Sequence, residues 1–536
     1  MRPSRAEVRR DLAVIVAGTA LLFCVALGAK DLWNPNEPVY GQAVAEMAAR
    51  GDWLVPTVNG RVFAEKPILY YWLALAASGA VGRVSELGLR APSALAGVVS
   101  AVLLYALVVS YAGRNRARLA VALFATIFAV FWGARTVQMD VLVMATTLGV
   151  VLAVTRVVDH GASPGIGWTL AGGAAALGLL AKALVGWAVP LLVLAAYLLA
   201  TRRWRRVRDP RILLGVVAVV AIGAPWFGWL IATGRSEFLH ELLYRQHFAR
   251  FVDPWDHARP WWYYLGYFWL DMAPWSVFVP LAIGLPDRDA DERRLDLLAW
   301  AWIVVPIVLF SLSASKRSAY ILPVAPAVAV LASGVAERFL GGRLGRPRTR
   351  ATAGLLAALG VLAVLAAIAL WREQVPRHPD LATDLRAVAI LLASGGATVV
   401  AGVVLLRSAR PAGATALFSM VVVLYGLAAV AVLPAVDAHK SARPFCERVA
   451  SVVGPDLPLR SFGFWEWRAG YAFYLGRPIP NLDTAEELRA YWDRDERVFV
   501  IVESTHLEPL QTVIGEDRPW VEARVGSRTA YLFCNR

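Results

Sequence analysis

Thirteen stretches of roughly 20 mostly apolar residues follow one another along this chain, near 11–29, 91–111, 118–133, 137–156, 166–182, 183–201, 212–232, 262–284, 295–313, 320–337, 353–370, 386–406 and 415–435. A run of that length, wound as a helix, spans the hydrocarbon of a bilayer. Composition agrees. Apolar residues make up 58% and charged residues 18%, against roughly 45–50% and about 25% in soluble proteins. A disordered, collagen-like or small disulfide-stapled chain is excluded, and an integral membrane protein is expected.

The chain carries 54 Lys and Arg against 40 Asp and Glu, a net charge of +14. In a soluble protein that excess would point to nucleic acid. Here the positive residues gather in short loops between apolar runs, the pattern that orients a membrane protein, so no nucleic-acid partner is expected. With Arg2, Arg5, Arg9 and Arg10 on the inside, the basic loops 112–118, 202–211, 285–294, 338–352 and 407–414 all fall on that same side. This holds only if a further short apolar run, 67–82, lies on the outer surface, with Tyr70, Tyr71 and Trp72 in the headgroup zone. Counting it as a span would put the six Arg of 202–211 outside.

The N-terminal run reads as an anchor, because no small-residue cleavage site follows it. Residues 1–438 are expected to form the membrane domain, with a first outer loop at 30–90, and residues 439–536 a small exported α/β domain. In that domain strands are expected at 457–464, 498–502 and 523–533, and Thr505 with Glu508 reads as a capping box. Cys446 and Cys534 both lie there, where the compartment permits a disulfide. No short fixed-period repeat and no paired broken helices of an inverted-repeat transporter are present.

Under this topology four outer segments, 30–66, 133–140, 233–261 and 313–320, bring polar residues to one side of the membrane. In the first, Asn36 and Glu37 open a helical stretch that leads into Tyr40, and Glu37 reads either as a helix-dipole partner or as a functional carboxylate. Glu65 and Lys66 precede Pro67 as an interfacial ion pair or a binding pair. Asp140 enters an apolar span, where an ionisable residue is a functional candidate by default. Lys182 ends one span and abuts the next, either snorkelling or facing the site. His247 and Arg250 lie in a basic aromatic loop suited to headgroups or to a substrate. Lys316 and Tyr320 lie in a tight hairpin. Only five of the 54 cations are Lys, so each Lys marks a place where a compact ammonium is used in a chain that otherwise writes Arg. Together these residues describe a cationic pocket with nearby carboxylates, suited to a lipid phosphate and a polar group transferred from it.

The order WNPNEPVY, GDWLVP, FAEKPILYYW, ARTVQMD, LLAK, QHFARF, PWWYY and SKRSAYILP resembles the bacterial GT-C glycosyltransferases related to the lipid A aminoarabinose transferase and, more distantly, to protein O-mannosyltransferases. The likeness covers roughly residues 28–335. It implies a multi-span domain of about 13 transmembrane helices in the bacterial cytoplasmic membrane, followed by a periplasmic α/β domain. It also implies a polyprenyl (undecaprenyl) phosphate sugar as donor and a lipid or other glycan acceptor, with membrane lipids as surroundings and the active site facing the periplasm. By the same resemblance Lys66 and Arg250 hold the donor phosphate, Glu65 and His247 match a divalent-metal position for zinc or magnesium, Asp140 matches a functional carboxylate, and Tyr320 a donor-pocket tyrosine. The family usually has Asp-Glu where this chain has Asn36-Glu37. Asn cannot act as a base, so the base is either Glu37 or Asp140. The usual Arg before the loop tyrosine is Val39.

The expected activity is therefore inverting sugar transfer from a polyprenyl phosphate at the outer membrane face. A nucleotide-sugar donor is disfavoured, since no glycine-rich phosphate loop is present. The rival readings are a transporter or flippase of lipid-linked sugars and a catalytically silent polyprenyl-phosphate-binding relative.

Overall fold

The computed structural model describes residues 4–249, 251, 257–286, 288–404, 410–464, 468–515 and 518–536. It divides into two compact units, one made of 1–25, 64–70 and 92–429, the other of 26–63, 71–91 and 430–536.

The first unit is helical. Helix α1 (Arg5–Cys24) opens on a capping box, in which the Ser4 hydroxyl accepts from the Glu7 amide at 3.3 Å and the Glu7 carboxylate accepts from the Ser4 amide at 2.9 Å. After α2 (Asn36–Arg50) and α3 (Leu69–Val81) comes α4 (Glu86–Ala125), most of which belongs to this unit, as do α5 (Phe128–Ala134), α6 (Met139–Val158), α7 (Pro164–Ala200) and α8 (Ile212–Ala232). Among the described residues, nine helices are long and apolar enough to cross a membrane. Thirteen apolar runs become nine such helices for three local reasons. Both α4 and α7 merge two expected spans across a break, at Gly113 (φ 78°) and at Lys182–Ala183. Helix α1 carries Arg5, Glu7, Arg9, Arg10 and Asp11 in its first seven residues. The run 262–284 is split into Tyr263–Asp271 and Trp275–Ala282.

The break in α7 reverses the chain. Residues eight apart in a straight helix lie about 12 Å apart along its axis, yet a β-carbon on Gly186 would fall 2.0 Å from the Gly178 carbonyl oxygen, and one on Gly178 would fall 2.5 Å from that of Gly186. The halves therefore pack backbone to backbone, and only glycine fits at the contact. Ala183 turns the corner at φ 44°, ψ −131°, a strained conformation for a residue with a side chain. A buried ion network lies among the basic connections: Arg116 pairs with Asp296, Arg288 with Asp296 at 3.1 Å, and Arg338 with Glu292 at 2.7 Å. Each charge there has a partner, without which its burial would be strongly destabilising.

The second unit holds a short ribbon, β1 (Thr57–Val58) against β2 (Arg61–Val62), and a five-stranded mixed sheet. The sheet's strands are β3 (Leu459–Phe462), β4 (Asn481–Leu482), β5 (Phe499–Glu503), β6 (Val521–Val525) and β7 (Arg528–Cys534), in the order β4-β3-β5-β7-β6. Strand β3 runs parallel to β4 and β5, while β7 is antiparallel to β5 and β6. The central strand β5 is buried throughout. Phe499 and Ile501 enter one apolar layer with Phe445 and Leu532, while Val500 and Val502 enter the other with Leu488 and Leu510, as the two-residue period of a strand dictates.

Three details of this unit differ from the sequence reading. The expected strand 523–533 is a hairpin, because Gly526 at φ 65° turns the chain between Val525 and Arg528. The capping box at Thr505 does not form: the helix begins at Leu507, and the Thr505 hydroxyl meets the His506 ring at 3.1 Å. Cys446 and Cys534 are free thiols, their sulfurs directed at the carbonyl oxygens of Tyr471 and Arg536. The expected boundary at 439 is also crossed by close contacts. The Leu32 amide donates to the Tyr474 hydroxyl at 2.7 Å, the Ile479 amide to Asn59 at 3.1 Å, and Arg61 pairs with Asp483 at 2.9 Å. First loop and C-terminal segment thus build one unit.

Candidate active site

In the helical unit a pocket of about 460 Å³ is walled by apolar side chains such as Leu184, Val185, Leu309 and Phe310, with Glu65, Lys66, Lys182, Gln246 and Tyr320 among its lining. Lys182 is placed by the reversal of α7, whose apex it occupies. Its ammonium is ion-paired with Asp140, both side chains being 9% exposed. It also lies 4.4 Å from the centre of the Tyr320 ring, a cation–π contact in a desolvated place. Asp140 is the second residue of α6, where the positive end of the helix dipole favours a carboxylate. Tyr320 stands on the short helical segment Ser318–Val324, its ring 5.6 Å from that of Phe310.

Lys66 reaches back to its neighbour: its ammonium is 3.4 Å from a Glu65 carboxylate oxygen and 3.3 Å from the Glu65 carbonyl. The pocket therefore presents two ammonium groups, each beside a carboxylate, and a long apolar wall. Such a surface can take an anionic headgroup joined to a hydrocarbon chain.

Lys316 does not line this pocket. Its ammonium donates to the carbonyls of Arg259 and Ser313, and burial pushes its pKa below the ordinary lysine value. It fastens the 313–316 turn to the segment 257–259, which also pairs with it through the Ala258–Ser315 bridge. Arg250 and the side chain of His247 lie outside the described residues.

Glu37, Asn36 and Tyr40 belong to the other unit, on α2 (Asn36–Arg50). Glu37 does not cap that helix. Its carboxylate is buried between Arg90, at 2.8 and 3.0 Å, and Lys30, at 2.7 Å. Burial alone would push the Glu37 carboxyl up, but the Arg90 and Lys30 charges outweigh it and hold it below the ordinary glutamate value. Arg90 uses its remaining donors on the carbonyls of Leu27, Lys30 and Asp31. Asn36 is half-buried in the first turn of α2, and Tyr40 packs its ring 6.0 Å from Phe63 and 6.4 Å from Tyr71. Sequence reasoning missed Arg90 altogether; the available signal was an Arg at the very edge of the apolar run that starts at 91.

The described residues do not build a metal centre, and the side chain of His247, expected beside Glu65, lies outside them. Among those described, no group of three or more His, Cys, Asp or Glu side chains could hold an ion, and Glu65 faces the Lys66 ammonium.

Known proteins resemble this chain in sequence and in fold. Residues 65–229 match the family described as dolichyl-phosphate-mannose-protein mannosyltransferase. The undecaprenyl phosphate-alpha-4-amino-4-deoxy-L-arabinose arabinosyl transferase of Pseudomonas aeruginosa is 28% identical over 394 residues, covering 73% of this chain and 70% of that protein. A Pseudomonas fluorescens enzyme of the same description is 31% identical over 355 residues, covering 64% of this chain and 61% of that one. Among solved structures, ArnT from Cupriavidus metallidurans bound to undecaprenyl phosphate superposes with a TM-score of 0.78 at 22% identity, over 98% of both chains. The Archaeoglobus fulgidus oligosaccharyltransferase follows at a TM-score of 0.50 and 11% identity, over 93% of this chain and 69% of that one.

Proposed function

We infer from these relationships that the chain, a GT-C glycosyltransferase related to the aminoarabinose transferases, moves a sugar from a polyprenyl phosphate donor to an envelope acceptor at the outer face of the membrane. The observation that carries this reading is the pocket with Lys66 and Lys182 at its polar part and apolar walls beyond. A polyprenyl phosphate has that same division between charge and hydrocarbon.

The chemistry follows from the donor. An acceptor hydroxyl oxygen attacks the anomeric carbon. The bond from that carbon to the phosphate oxygen breaks, and its electron pair leaves with the phosphate. Configuration at the carbon is inverted. Negative charge grows on the departing phosphate, so preorganised ammonium groups at Lys66 and Lys182 stabilise the transition state more than the ground state. The hydroxyl proton needs an acceptor within hydrogen-bond reach. Asp140 is the better candidate: it is paired with Lys182, which lines the pocket, whereas Glu37 has both carboxylate oxygens engaged by Arg90 and Lys30. By the sequence likeness Arg250 adds a third cation. No step is assigned to a metal.

The test is turnover of a labelled undecaprenyl-phosphate-linked sugar by the purified full chain in membranes that contain acceptor lipid. Release of undecaprenyl phosphate with labelled product supports the reading. Tight donor binding without product supports a silent relative, and movement of intact donor across the bilayer supports a flippase.

A further inference from the structure

Away from the pocket, the helical unit has a groove of about 930 Å³ between α1, the second half of α4 and the helix Arg410–Leu427 with its continuation. Its polar end is basic. Asp11 there is neutralised by Arg114, at 2.9 and 3.0 Å, and also accepts from Arg118 and Tyr105. Arg118 keeps a side chain 47% exposed, and Arg10, also exposed, makes no ion pair among the described residues. Glu7 also pairs with Arg114, so the carboxylates Glu7 and Asp11 face the cations Arg10, Arg114 and Arg118, and the end carries net positive charge facing out.

The rest of the groove is apolar and open. Thr19 and Thr126, which line it, turn their hydroxyls onto their own helices, at 2.6 Å to the Ile15 carbonyl and 2.8 Å to that of Ala122. Gly18 and Gly426 line it too, and a β-carbon added at either would meet nothing within 4 Å. A glycine inside a helix is about 0.5–1 kcal/mol less favourable than alanine, and here it leaves space that no protein atom fills. On α1, Val14 and Leu21 stay 66% and 67% exposed. From Arg10 to Val25 the helix runs about 22 Å at its 1.5 Å rise, more than the roughly 15 Å depth of one leaflet's hydrocarbon.

We propose that this groove binds one anionic glycerophospholipid of the leaflet that meets the basic end, its phosphate on Arg10 and Arg118 and an acyl chain lying over Gly18 and Gly426. The partner is set by charge complementarity at one end and by a leaflet-deep apolar channel below it. Binding would hold α1 against the C-terminal helices from the lipid side.

Native mass spectrometry of the full chain, titrated separately with phosphatidylglycerol, phosphatidylcholine and glycerol phosphate, tests the proposal. Phosphatidylglycerol should bind in a single saturating step, phosphatidylcholine more weakly, and glycerol phosphate not detectably. Arg10→Gln should weaken phosphatidylglycerol roughly fivefold, the equivalent of about 1 kcal/mol per basic residue at an anionic surface. Gly18→Phe, which meets open space, should abolish the saturating step while leaving the thermal midpoint of the lipid-free chain in detergent unchanged or higher. Equal binding of phosphatidylcholine and phosphatidylglycerol, glycerol phosphate binding as tightly as the lipid, or undiminished binding by Gly18→Phe would each overturn it.

Discussion

Asp140 and Lys182, 42 positions apart in the sequence, form an ion pair whose two side chains are each only 9% exposed. The pair joins the start of α6 to the apex of α7, and the same Lys182 borders the pocket. If Asp140 takes the acceptor proton, Asp140→Asn loses at least about 100-fold in kcat, the lower end of what general-base catalysis supplies. Glu37→Gln should act instead on folding yield. An active Asp140→Asn enzyme beside a folded but dead Glu37→Gln would reverse the assignment. In the same assay Asn36→Asp is expected to raise the rate, because it restores a carboxylate at the first turn of α2.

Lys66→Ala should reduce kcat/KM for the lipid-linked donor by about 1.5–3 kcal/mol, the value of a charge-assisted hydrogen bond. Arg250→Ala is expected to do the same by the sequence likeness. Steady-state kinetics with varied donor checks both, and unchanged kinetics would remove the residue from the phosphate site.

The reversal of α7 makes opposite predictions at neighbouring positions. Gly186→Leu drives a side chain into the Gly178 carbonyl, a backbone atom that cannot step aside, and should destabilise by about 1–3 kcal/mol or more. Ala183→Gly relieves a positive-φ strain and should stabilise by up to about 1 kcal/mol. Thermal unfolding in one detergent reads both.

The Glu37 carboxyl is held below its ordinary value of 4.5 in the folded chain. Its contribution to stability is therefore fully present above that ordinary value. The contribution is lost as pH falls below it and through the depressed folded value, because the folded state must then take up a proton it resists. Unfolding midpoints measured from neutral pH downward should fall more steeply for the native chain than for Glu37→Gln. Parallel curves would remove this ion pair as the cause.

Orientation is open to a direct check. A thiol placed by Arg206→Cys, in a chain stripped of its own three Cys, should react with a membrane-impermeant maleimide only after the inner face is exposed. Labelling in intact cells would invert the orientation on which the proposed outward-facing site depends.

The apolar runs were legible because a membrane asks for length and hydrophobicity locally, without help from distant residues. Even the corner of α7 could be read, as a boundary between the runs 166–182 and 183–201. What could not be read was pairing at a distance. Glu37 reads as a helix-end carboxylate or a candidate base because its partner Arg90 lies 53 positions away. Lys316 looked like a site residue for being a rare Lys, yet its ammonium ties down backbone carbonyls, a role that depends on how the turn folds. The hairpin of β6 and β7 reads in sequence as one strand because Gly526 and Ser527 interrupt the apolar pattern for only two residues.

The pinning of Glu37 by Arg90 and Lys30 has a consequence for how such a protein can diverge. The head of α2 is anchored through Glu37, while residue 36 beside it is half-buried. Asp and Asn, nearly identical in shape, can replace each other there while the chain still matures and reaches its membrane. On the proposed reading a lineage can thus quieten or restore activity by a single-residue change here, and its fitness effect would register in the envelope's chemistry while the amount of protein made stayed the same.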